Sequence, residues 1–80
     1  STPVVSIWVN PRQMLAAKVD LHALAGQLGL EPVEFSRRIQ RNARKGFLYA
    51  RRHLSPVVAE ALLNRDIPGV YGMTEYRRFY

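Results

Sequence analysis

Two periodicities divide the chain. Leu21, Leu24, Ala25 and Leu28 fall at i, i+3, i+4 and i+7, the spacing of one apolar helical face. Asp20 is placed to cap that helix and Gly29 to stop it. The pattern predicts a second helix from Pro32, with Glu31 at its cap, Glu34 at the third position, and Leu30 set to pack on Phe35. Its apolar side carries Phe35, Ile39 and Ala43, while Arg37, Arg41 and Arg44 line the other. Ser55-Pro56 opens a further helix with Val58, Ala61 and Leu62 expected inward, and Asn64 to Gly69 makes the turn out of it. Asn10-Pro11, a capping residue followed by proline, starts a shorter helix over Arg12 to Lys18.

Elsewhere β-branched and aromatic residues alternate with a period of two. In Val4 to Asn10, Val5, Ile7 and Val9 share one face and Val4, Ser6 and Trp8 the other. The stretch Lys45 to His53 lies mid-chain and is expected to organise the rest. Gly46 breaks the preceding helix, and Phe47, Leu48 and Tyr49 suit a pleated, half-buried strand. Alternation puts Phe47, Tyr49 and Arg51 on one side and Leu48, Ala50 and Arg52 on the other. Both sides begin apolar and end basic, so one end of this strand is expected covered and the other solvated. Val70 to Met73 and Glu75 to Tyr80 form a last extended segment, with a bulge or bend expected at Thr74. The order strand, helices, strand, helix, strand predicts an α+β fold: a small sheet of about three strands with three to four helices packed largely on one face. Leu24, Leu28, Phe35 and Ile39 are the expected cover, meeting Phe47 or Leu48. Strand order and direction do not follow from this pattern.

Eighty residues amount to a single module, 1–80, and without cysteine it has neither a disulfide nor a Cys/His zinc cluster to hold it. Stability rests on apolar packing, for which 48% hydrophobic residues suffice. The net charge is +6, and seven of the twelve Lys and Arg residues lie between Arg37 and Arg52. A field so concentrated suits nucleic acid, an anionic membrane surface or an acidic partner. No apolar run approaches the roughly 20 residues that span a bilayer. The sequence starts inside a strand-like run and stops on Phe79-Tyr80, and it reads as a part of something longer.

Catalytic groupings are sparse. His22 and His53 stand apart, and the closest carboxylates, Glu31 and Glu34, are explained by a helix N-terminus. The sequence has no glycine-rich phosphate loop and no nucleophile elbow. The expectation is a module that is no enzyme by itself, with no cofactor, metal or small-molecule ligand. Leu24 to Leu30 followed by Phe35-Ser36-Arg37-Arg38-Ile39 also looks like the helix-turn-helix of arabinose-operon-type regulators, with arginines on its second helix. That reading makes the chain a DNA-binding module. It sits poorly with a strand at Phe47 to Arg52, and the favoured expectation is no specific nucleic acid.

Pro68-Gly69-Val70-Tyr71 followed by Glu75-Tyr76-Arg77-Arg78-Phe79-Tyr80 resembles class B penicillin-binding proteins at the approach to their R-x-Y-P-x-G motif. The resemblance extends along the chain to the cell-division members of that family. Ile7-Trp8-Val9-Asn10-Pro11 looks like their strand before Asn/Asp-Pro, and Leu21 to Lys45 like their leucine-rich helix pair. Phe47-Leu48-Tyr49-Ala50-Arg51 and Ser55 to Leu63 look like the aromatic strand and the Pro-capped helix that follow. The family crosslinks peptidoglycan through S-x-x-K, S-x-N and K-[ST]-G motifs. Here Ser6, Ser36 and Ser55 are followed three residues on by Val9, Ile39 and Val58, and Lys45-Gly46 lacks the intervening hydroxyl residue.

The resemblance therefore implies an excised part of the N-terminal non-catalytic domain, a pedestal between membrane anchor and transpeptidase domain on the periplasmic side of the bacterial inner membrane. It implies docking to the rest of the same polypeptide and to other cell-division membrane proteins. It marks Arg77, Arg78 and Tyr80 as motif residues, with the two arginines expected to pair with carboxylates outside this fragment. Arg37, Arg38, Arg41 and Arg44 are a further candidate interaction surface.

Overall fold

The computed structural model describes residues 2–77. Strand β1 (Thr2–Val9) runs into helix α1 (Pro11–Ala16), followed by α2 (Leu21–Leu28) and α3 (Pro32–Arg41). Strand β2 (Leu48–Leu54), helix α4 (Pro56–Leu63) and strand β3 (Val70–Arg77) complete the order. The arrangement is the expected α+β fold, with three strands, four helices and an antiparallel sheet in the order β2-β1-β3. The mid-chain strand β2 is thus an edge, and β1 is the centre. β1 qualifies because both of its neighbours hydrogen-bond to it and its Val4, Ser6, Ile7 and Val9 are buried.

Each helix starts where a side chain answers its free amides. Asn10 accepts from the Gln13 N–H, Asp20 from Ala23, Glu31 from Val33 and Glu34, and Ser55 from Val58. Proline occupies the first turn of α1, α3 and α4. Gly29 (φ 71°) ends α2 in the left-handed region, with its N–H and that of Leu30 returning to the carbonyls of Gly26 and Ala25. Leu30 is half-buried against the core beyond that turn.

One core forms between the sheet and the helices. Ile7 and Val9 of β1 meet Met14, Leu24, Ala25, Leu28, Phe35, Ile39, Ala59 and Leu62 there. Leu48 joins this core, whereas Phe47 is 43% exposed and turns to the other side of the sheet.

Three local expectations are corrected. On α4 it is Ala59 and Leu62 that are buried, with Leu63 packed beside them, while Val58 and Ala61 face out. Seven of the eight residues of the helix are apolar, so periodicity could not choose its inner face. β3 pairs with β1 in unbroken register from Val70↔Val9 to Arg77↔Thr2, without a bulge at Thr74. The irregularities lie in β2 instead: one around Ala50, and one where Arg52 and His53 together oppose Ser6. His53 takes a positive φ of 62° at the second. The first interrupts the simple alternation, so Arg52 shares a side with Tyr49 rather than opposing it.

Candidate interaction surfaces

The helices leave the second face of the sheet uncovered among the described residues. A row of rings crosses all three strands there. Tyr71 on β3 stacks on Trp8 of β1 at 4.5 Å and 24°. Phe47, at the start of β2, lies 5.0 Å from Trp8 on its other flank and 5.0 Å from Tyr49, edge to face. The Arg52 guanidinium ends the row 4.5 Å from the Tyr49 ring. The Tyr71 hydroxyl donates to Gln13 Oε1 at 2.7 Å, tying the row to α1. Such ring pairs contribute roughly 0.5–1.5 kcal/mol each beyond their buried area.

A polar cluster continues this face. Ser6 is fully buried; its hydroxyl donates to Glu75 and accepts from the His53 N–H at 3.3 Å. Arg52 pairs with the same carboxylate at 3.0 Å. The Ser6 hydroxyl first, and Arg52 second, hold the Glu75 carboxyl below its usual range. The Glu31 carboxyl is likewise lowered, by the amides of Glu34 and Val33 that it caps.

Arg37, Arg38 and Arg41 lie on α3, and Arg44 in the turn that follows it. Arg37, Arg41 and Arg44 are exposed and Arg38 is half-buried. Arg38 and Arg41 flank a shallow groove of about 160 Å³ against Leu30 and Phe35. Arg37 lies 3.8 Å from Glu34, an exposed pair of little energetic weight, and borders a different depression with His22 and Val33. Arg51 has a structural task that the residue pattern did not reveal. Its guanidinium donates to the carbonyls of Leu28 at 2.9 Å and Gly29 at 3.4 Å, capping the negative end of α2. Among the described residues no cluster of three or more His, Asp or Glu side chains could hold a metal ion, and His22 and His53 lie on separate elements.

A third surface is the outer side of α4. Val57 is 79% and Val58 53% exposed. With Ala61, Gln27 and Arg65 they line an apolar groove of about 400 Å³ between α4 and α2. A neighbouring hollow of about 340 Å³ shares Gln27 and Arg65 with it. Of the motif residues, Arg77 lies exposed at the end of β3, while Arg78 and Tyr80 lie outside the described residues.

The chain is thus an α+β module with capped helices, one core and two apolar surfaces, and its sequence contains no S-x-x-K. Along its whole length the chain is similar to a segment of peptidoglycan D,D-transpeptidases, which bears out the resemblance to that family seen in the sequence. It is 42% identical over all 80 residues to the probable peptidoglycan D,D-transpeptidase PbpC of Pseudomonas aeruginosa. It is 29% identical over 85 residues to the peptidoglycan D,D-transpeptidase FtsI of Escherichia coli K12 and of E. coli O157:H7. The chain spans 14% of the length of each of these relatives. No family model matches it.

Proposed function

We propose that this chain is a non-catalytic docking module of a cell-division penicillin-binding protein that crosslinks septal peptidoglycan. It would stand on the periplasmic side of the inner membrane and hold the transpeptidase domain and other division proteins in place. The outer face of α4 carries the reading. Seven of the eight residues of α4 are apolar, a composition usual for an interior, yet Val57 and Val58 face out beside a groove of about 400 Å³. The platform behind it is firm, because Ala59 and Leu62 of the same helix are locked into the core. The whole-length match to peptidoglycan transpeptidases favours this role over the DNA-binding alternative, and the α2–α3 pair has its own task in covering the sheet. Among the described residues no helix is long and apolar enough to cross a membrane, so in this reading the anchor is a separate segment.

The test is acylation. A fluorescent β-lactam incubated with the isolated chain should leave no stoichiometric covalent label, since no serine is followed by lysine three residues on. Stoichiometric labelling would place the nucleophile in this segment and overturn the reading.

A further inference from the structure

We propose that the aromatic end of the open sheet face, with the cations beside it, is a docking surface for an anionic lipid bilayer. Trp8, Phe47 and Tyr71 stand together at the end of the sheet where β1 passes into α1 and β2 begins. Phe47 and Tyr71 remain 43% and 37% exposed. The same end carries exposed Arg12, Arg44 and Lys45: Lys45 lies two residues before Phe47, and its carbonyl accepts the Arg12 N–H at 3.2 Å. None of these three cations is ion-paired among the described residues, although the chain carries six carboxylates. Aromatic rings beside unpaired cations are the composition of a membrane–water interface: rings at headgroup level, cations on phosphates.

Ring geometry favours this occupant over a glycan or a single-stranded nucleic acid. Both of those need open ring faces to stack on. Trp8 is flanked by Tyr71 on one side and Phe47 on the other, and Phe47 meets Tyr49 edge to face. With Trp8 flanked by rings on both sides, the exposed parts of Phe47 and Tyr71 are left to insert among headgroups and the first acyl carbons. The surface is separate from the outer side of α4, so the proposal stands whichever partner covers that helix.

Trp8 is the only tryptophan, so its emission reports this face directly. The chain is mixed with vesicles of phosphatidylglycerol or of phosphatidylcholine and sedimented. It should bind the former in a salt-sensitive manner, with Trp8 emission moving to shorter wavelength, and should not bind the latter. Arg44→Gln with Lys45→Gln should weaken partitioning roughly thirtyfold, the factor expected of two interfacial cations. Phe47→Ser removes an exposed ring, should keep the parent's circular dichroism, and should abolish most of the emission shift. Equal partitioning onto phosphatidylcholine, or unchanged binding in the double variant, would overturn the proposal. So would vesicle binding without an emission shift alongside equally tight binding of inorganic polyphosphate, which would reduce the surface to a bare cation patch.

Discussion

Gly69 sits where a side chain has no room. Its φ of 82° is left-handed, and a Cβ there would lie 2.5 Å from Met14 Cγ and 3.0 Å from the Asn10 carbonyl oxygen. Its own carbonyl accepts the Asn10 N–H at 2.8 Å, so this residue pins the start of β3 to the corner between β1 and α1. Met14 is fully buried and Asn10 is the α1 cap, so neither neighbour can give way cheaply. Gly69→Ala should therefore destabilise by on the order of 2–4 kcal/mol, combining backbone strain with overpacking. A urea melt reads this, and a midpoint equal to the parent's would contradict it. The sequence placed Gly69 in a turn but could not show what crowds it, since Asn10 and Met14 are more than fifty residues away. Arg51 is the same case. Its residue type suggested a solvated strand end, while its partners are carbonyls on α2 that only the folded chain brings near.

At the scale of elements, α2 and α3 were the most legible. Their caps are local chemistry, and a stripe of apolar residues on one side leaves a single way to pack; Leu24, Leu28, Phe35 and Ile39 are all buried. Truncating Phe35 to Ala removes a ring only 3% exposed and should lose about 3–5 kcal/mol. Arg41→Ala, on the exposed side of the same helix, should change stability by less than about 0.5 kcal/mol. Paired urea melts compare them, and equal midpoints would mean that the buried side of α3 is misassigned. What resisted reading has physical causes. α4 offers apolar residues in every direction, so only the sheet surface it meets, at Val5 and Gly72 beside Leu63, selects its inner side. Alternation along β2 fails because bulges are set by pairing with β1, above all by buried Ser6 accepting from His53. The aromatic row was invisible for the same reason: Trp8, Phe47 and Tyr71 come from three distant stretches that only strand order joins.

As a whole the molecule is an elongated body, 40 × 21 × 20 Å, with a helix-covered and an open sheet face. A domain of this size has on the order of 5 kcal/mol of stability, so a rigid platform depends on the one core being complete. The central claim is that this body serves a transpeptidase by docking through the outer side of α4 rather than by chemistry. The most direct measurement uses the full-length protein carrying Val57→Asp and Val58→Asp. Both side chains are exposed and lie in the first turn of α4, where carboxylates suit the helix dipole, so the fold is retained. Val33→Asp, likewise exposed and in the first turn of α3, is the control. Detergent-solubilised division proteins recovered with each variant are quantified beside acylation by a fluorescent β-lactam. The account predicts at least roughly tenfold lower recovery for the α4 variant alone, as expected when a buried apolar contact of an interface is charged, with acylation equal in all three proteins. Recovery unchanged by the α4 substitutions, or acylation lost along with it, would contradict the account.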